Sequence, residues 1–264
     1  VLNTLTKNIV LNETITGYYK LEKPEKEGIT TVFENAFAIS SENFAKSSKL
    51  RNLAVGKKIV ATNDNNSKEN IKIAQGKSQK EFNIDNLRSN IVTIRIGQGH
   101  GSGFFVGNNG HLLTNAHVVG DSKSVQIITS SGMEIEGQVI RKSKSRDVAL
   151  IKVPLKITNS LYLKFQIPDI ASDVYAAGTP IDEALKTTVT KGIISNIRVD
   201  NASGLKFIQA DASISPGNSG GPLFDKFGNV IGISVAKYNS NSAEGLGLFI
   251  PLQDAFNSIK LLIE

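Results

Sequence analysis

Cysteine is absent from this chain, which removes disulfides, thiolate metal sites and thiol nucleophiles together. Tryptophan is absent too, and there is a single methionine. Histidine occurs only three times, so any imidazole chemistry has few candidates. No apolar run approaches the roughly eighteen residues needed to span a bilayer, and no membrane span is expected. The chain opens on Val1 with neither an initiator Met nor a basic-then-apolar leader, so any signal peptide that the gene encodes is expected to have been removed or to lie outside this sequence. What is present is the composition of a globular protein: 264 residues, 40 % hydrophobic and 20 % charged, with 23 glycines. The net charge of +6 is spread among asparagines and glutamates rather than clustered. It reads as a solvated basic surface, and no nucleic-acid partner is expected.

Two textures divide the chain near residue 84. From there onward, short alternating stretches are separated by glycine and asparagine turns. Ile91-Val92-Thr93-Ile94-Arg95-Ile96 has the period of a half-buried strand. Residues 103–106 and 111–114 flank Gly107-Asn108-Asn109-Gly110 and read as a hairpin. Further strands are predicted over 124–129, 134–140, 148–153, 173–177, 187–197, 207–211 and 230–235. Many short strands at this spacing imply an all-β barrel or sandwich. Leu252, Phe256, Ile259 and Ile263 fall at helical spacing, which predicts a terminal helix over 252–264. Residues 1–84 form a separate, β-rich N-terminal module, with strands predicted over 15–21, 30–39, 58–61 and 71–74. A short helix is predicted over 42–53 and a polar loop over 63–70. No chemical motif is found in this module.

Acyl transfer needs a hydroxyl nucleophile, an imidazole base, a carboxylate to hold the imidazole, and amides facing the oxyanion. His117 ends Leu112-Leu113-Thr114-Asn115-Ala116-His117, where a strand runs out after the hairpin. Alone, a histidine beside two valines is more often an ordinary core or surface residue. His100, in a glycine-rich turn, and His111, opening a strand, read as structural. The run Pro216-Gly217-Asn218-Ser219-Gly220-Gly221-Pro222-Leu223 changes the reading of His117. Its glycines let the backbone turn sharply, so that the amides of Gly217 and Ser219 can converge on one spot as an oxyanion hole. Such a donor is worth about 3–4 kcal/mol in the transition state. Asp147, just ahead of the alternating Val148-Ala149-Leu150-Ile151, is the candidate carboxylate. The order His117, Asp147, Ser219 is that of chymotrypsin-like enzymes.

These motifs, together with Gly101-Ser102-Gly103-Phe104, the run from Gln209 to Leu223 and Gly245-Leu246-Gly247-Leu248-Phe249-Ile250-Pro251, resemble the HtrA/Deg family of chymotrypsin-like serine proteases. The resemblance covers about two-thirds of the chain. It implies a protease domain over 85–264 made of two six-stranded antiparallel β-barrels, a triad between them, and neither cofactor nor metal. It also implies protein or peptide substrates and an exported protein of the bacterial periplasm, cell envelope or exterior. Family members carry one or two PDZ domains after the protease domain, and none is expected within this chain. The first 84 residues do not resemble the family's short trimerising extension, so no oligomeric state is implied.

Trypsin-type zymogens switch on when a new N-terminal ammonium pairs with an aspartate directly before the serine. Here that position is Asn218, a neutral amide, so activation by N-terminal insertion is not expected. Chymotrypsin-like geometry puts Ser213 at the floor of the primary specificity pocket, with Ala236 and Gly247 as walls. A floor without a carboxylate leaves a bound Lys or Arg unpaired, which costs several kcal/mol, so small or medium apolar side chains are favoured. The expected function is a serine endopeptidase acting on unfolded or flexible proteins. Two alternatives are a protease-fold chaperone with incidental hydrolysis and a narrow processing protease controlled by its N-terminal module.

Overall fold

A computed structural model describes residues 69–78, 81–97, 99–179, 187–201, 203–235 and 247–264. The elements expected over 15–21, 30–39, 42–53 and 58–61, and the loop over 63–70 up to residue 68, lie outside the described residues. All described residues belong to one compact unit, Asp64–Glu264.

The first barrel holds β2 (Ile91–Ile96), β3 (Gly99–Val106), β4 (His111–Thr114), β5 (Ser124–Thr129), β6 (Glu134–Ser143) and β7 (Val148–Lys152). It closes in the order β2-β3-β4-β7-β6-β5. The second holds β8 (Asp173–Gly178), β9 (Thr188–Val199), β10 (Lys206–Ala210), β11 (Pro222–Asp225), β12 (Val230–Val235) and β13 (Gly247–Pro251). It closes in the order β10-β13-β12-β11-β8-β9. Closure removes the exposed strand edges that an open sheet would leave as pairing sites. Both barrels are antiparallel, and the fold is mostly β as expected.

The strand expected to stop at residue 140 runs on to Ser143 because the β6–β7 register shifts between Val139 and Arg141. A bulge there breaks the sequence alternation without ending the pairing. A helix α1 (Ile84–Ser89), not expected from the sequence, precedes β2. Its N-terminus is capped by Asn83, whose side chain accepts the Asn86 amide at 3.0 Å.

The terminal helix is shorter than predicted. Helix α3 spans Leu252–Ser258, and Lys260 at φ 53 turns the chain into β14 (Leu261–Ile263). This last strand pairs in parallel with β1 (Ile71–Ile73), so its backbone groups are met by a sheet partner that helical spacing alone does not reveal. One buried cluster joins the barrels. It contains Phe104, Leu113 and Leu150 of the first, Phe224, Ile233 and Ile250 of the second, and Leu252 and Phe256 of α3. The phenylalanines there are fully buried, each contributing about 2–3 kcal/mol of transfer free energy.

His111 stands opposite Lys152 in the β4–β7 ladder. Burial, with the Lys152 ammonium adding to it, pushes the His111 imidazole down from 6.5 to about 4. Between those values the unfolded chain binds a proton that the folded chain refuses, so stability falls as pH drops through the window. After discounting for water reaching the ring, we expect a loss on the order of 1–2 kcal/mol between pH 6.5 and 4. His111→Gln should flatten that part of the acid slope, read as urea midpoints across the same range. An unchanged slope contradicts the assignment.

Candidate active site

Strand β4 ends at Thr114, and the chain makes one helical turn, α2 (Ala116–Val119), which Gly120 stops at φ 53. Asn115 occupies the N-cap position of α2 but makes no side-chain cap. Its Nδ2 instead donates to the Asp147 carbonyl at 2.9 Å. Asp147 sits between β6 and β7 at φ 61, a left-handed conformation that costs a non-glycine residue about 1 kcal/mol. Three bonds hold it there. Besides the one from Asn115, the His117 backbone N–H donates to Oδ1 at 2.9 Å, and the His117 ring Nδ1 lies 2.7 Å from Oδ2. With the carboxylate accepting, the neutral ring that this geometry favours carries its proton on Nδ1 and its lone pair on Nε2. The ring is about half exposed, with a side-chain accessibility of 47 %.

Asp147 is also braced from the second barrel. The adjoining Arg146 is buried, with its guanidinium 4.7 Å over the Phe207 ring. Its Nη2 donates to Asp254 Oδ2 on α3 at 3.2 Å and to the Lys206 carbonyl at the start of β10. Burial pulls this guanidinium below its ordinary value, and the Asp254 charge opposes that fall. A buried charge with these partners fixes the turn carrying Asp147 against both barrels, whatever its net effect on stability.

Ser219 lies in the loop leading into β11 and is 7 % exposed. Gly217 at φ 97 and Gly220 at φ 85 flank it, both in the region open to glycine. A Cβ on Gly220 would fall 2.3 Å from both the Ser102 carbonyl oxygen and Thr114 Oγ1, and 3.1 Å from the Asn115 amide. Glycine at 220 therefore lets the Ser219 loop rest directly on β3 and β4, beside the turn that carries His117. The two halves thus meet at one place, although among the described residues no hydrogen bond runs from the His117 ring to Ser219. Such bonds are often long before substrate arrives.

The amides of this loop alternate. Those of Asn218, Gly220 and Gly221 donate to the carbonyls of Ser215, Ser234 and Asn218 at 3.0, 3.0 and 2.9 Å. Those of Gly217 and Ser219 have no acceptor among the described residues. Two unspent amides two positions apart, the first on a left-handed glycine, can serve a developing oxyanion. Asn218 itself is buried, and its Oδ1 has no partner among the described residues.

Of the expected pocket residues, Ser213 is exposed and its carbonyl accepts from Thr190 Oγ1 at 2.8 Å. Gly247 is buried, and a Cβ there would come within 2.6 Å of Ile214 Cδ1. Ala236 lies outside the described residues. Ile214 was not singled out from the sequence, though it adjoins Ser213, and it brings an apolar side chain against the expected wall. His100 and His111 belong to β3 and β4 and make no bond to the His117–Asp147 pair. No group of three or more His, Cys, Asp or Glu among the described residues is arranged to hold a metal. No described helix is long and apolar enough to cross a membrane.

Residues 101–233 match the trypsin-like peptidase domain family. The putative serine protease HhoB of Synechocystis is 40 % identical over 169 residues, which are 61 % of this chain and 39 % of that protein. A probable periplasmic serine endoprotease, DegP-like, of Bartonella henselae is 35 % identical over 175 residues, 62 % of this chain and 33 % of that one. This chain thus spans roughly a third to two-fifths of the length of the curated relatives it matches. Among solved structures, the serine endoprotease from Yersinia pestis superposes with a TM-score of 0.58 at 28 % identity, over 66 % of this chain and 62 % of that one. The HtrA-type protease AlgW, solved with a tripeptide, gives 0.59 at 31 % identity, over 66 % and 60 %.

Proposed function

Because the chain belongs to the trypsin-like peptidase family and resembles its HtrA/Deg relatives, we propose that it is a serine endopeptidase using His117, Asp147 and Ser219. The observation that carries this reading is the pair of unspent amides at Gly217 and Ser219, beside a histidine held by Asp147 through both ring and backbone. In the proposed reaction, His117 Nε2 takes the Ser219 hydroxyl proton as Oγ attacks the scissile carbonyl. The oxyanion settles on the two amides, and the proton passes to the leaving amine. Water then hydrolyses the acyl-enzyme by the same steps.

Ile214 against Gly247, with Ser213 beside them and no carboxylate among these residues, supports cleavage after small or medium apolar side chains. Substrates are proposed to be unfolded or flexible proteins. An exported location is supported by relatives named as periplasmic. The test is hydrolysis of casein and of peptide esters that differ only in the residue before the scissile bond. Esters of Ala or Val should be cleaved faster than those of Lys or Arg. A preference for Lys would overturn the pocket assignment, and hydrolysis of neither substrate would overturn the endopeptidase.

Residues 1–84 are proposed to act on access to the cleft and not on the chemistry. Since β1, which lies within that span, pairs with the last strand, the informative comparison removes residues 1–63 only, setting residues 64–264 against the full chain. Peptide-ester hydrolysis should agree within about tenfold, a barrier change under ~1.4 kcal/mol, while large substrates differ more. A folded 64–264 that is dead toward the ester would assign the missing segment a part in building the site.

A further inference from the structure

Ser102 stands in a motif noted for its resemblance alone, and the triad makes no use of it. Its side chain is fully buried in β3, yet every polar atom of the residue is engaged. The hydroxyl lies 2.6 Å from the Gly217 carbonyl, which can only accept, so its single proton points there. The same oxygen accepts the Thr179 backbone N–H at 2.8 Å, just past the end of β8, and lies 3.2 Å from Thr179 Oγ1. The Ser102 amide donates to the Ser219 carbonyl at 2.8 Å, and its own carbonyl accepts from Thr114 Oγ1 at 2.7 Å.

One residue of the first barrel therefore grips both ends of the tripeptide 217–219. The peptide unit between Gly217 and Asn218 is held on both sides, its carbonyl by Ser102 and its amide by Ser215 at 3.0 Å. Glycine at φ 97 has wide rotational freedom and nothing in its own side chain to limit it. Without the hydroxyl, the backbone about Gly217 can turn, and its amide swings with it.

We propose that Ser102 is a positioning residue for the oxyanion hole, holding the Gly217 and Ser219 amides in register through the Gly217 and Ser219 carbonyls. The inference rests on the endopeptidase reading above. A donor that is misaligned costs less than one that is deleted, and deletion costs about 100- to 1000-fold.

The test uses the full chain. Ser102→Ala should lower kcat toward a peptide ester by about 10- to 100-fold with KM within threefold, because the loss appears only when the oxyanion forms. Affinity for a peptidyl boronate, whose tetrahedral adduct places an oxygen in the hole, should fall in parallel with kcat/KM. A purely structural role would lower the unfolding midpoint and leave both readouts alone. Thr114→Val, which removes the neighbouring bond to the Ser102 carbonyl, serves as the control and should keep kcat within threefold. If Ser102→Ala does not fold, Ser102→Cys, with a weak donor in the same place, reads the same two quantities. Retention of kcat and boronate affinity within twofold would overturn the proposal, as would an equal loss in Thr114→Val. If the unaltered chain neither hydrolyses the ester nor binds the boronate, the endopeptidase reading has failed first and Ser102 falls with it.

Discussion

Ser219→Ala is expected to lower turnover by on the order of a millionfold, about 8 kcal/mol of barrier, while leaving the fold intact. The fold should survive because Ser219 is tied in through its backbone: its carbonyl accepts the Ser102 amide at 2.8 Å, and alanine keeps that bond. The side chain contributes no hydrogen bond among the described residues, so its removal strands no partner. His117→Ala should cost about as much, since nucleophile and base act as one unit and neither is useful alone. Thermal unfolding midpoints and circular dichroism should match the unaltered chain. Retention of more than a few per cent of turnover would mean that another group attacks.

Asp147→Asn should cost about ten-thousandfold, roughly 5.5 kcal/mol, and the geometry gives the reason. The carboxylate accepts two bonds from the same histidine, one from the backbone N–H at 2.9 Å and one from the ring at 2.7 Å. An amide has a single oxygen to offer. If that oxygen keeps the backbone bond, its NH2 faces Nδ1, and the ring proton must move to Nε2. The imidazole then presents a proton to Ser219 where it should accept one. If the amide turns over, its NH2 meets the backbone N–H, donor against donor. Neither arrangement is good, so some loss of stability should accompany the loss of kcat. A loss below about tenfold would remove Asp147 from the mechanism.

The candidate site was legible wherever the proposed chemistry demands particular residue types in a row. Gly217 to Gly221 could be read because glycine suits both the left-handed turn at 217 and the closeness of β3 and β4 at 220, where a Cβ would fall 2.3 Å from the Ser102 carbonyl oxygen and Thr114 Oγ1. The barrels could be read because half-buried strands impose a period of two, as in Ile91–Ile96. What stayed hidden depends on contacts between distant segments. Lys260 turns the chain into a strand because Ile71–Ile73 is there to receive it, and no local pattern announces that partner. Arg146 carries no signal in its local sequence, yet it is buried and bonded across to β10 and α3. Ile214 and Ser102 sat inside noted motifs, but the roles proposed for them rest on contacts with Gly247 and Gly217, each far off in sequence or across a barrel boundary.

The most direct measurement is the reaction of the full chain with a fluorophosphonate, followed by mass mapping of the adduct. A serine activated by His117, with amides ready for the phosphonyl oxygen, should be phosphonylated rapidly and at one place. We expect a single adduct on the peptide that carries Ser219, its formation abolished in His117→Ala and strongly slowed in Asp147→Asn. An unmodified Ser219, or an adduct that forms equally well without His117, would contradict the account.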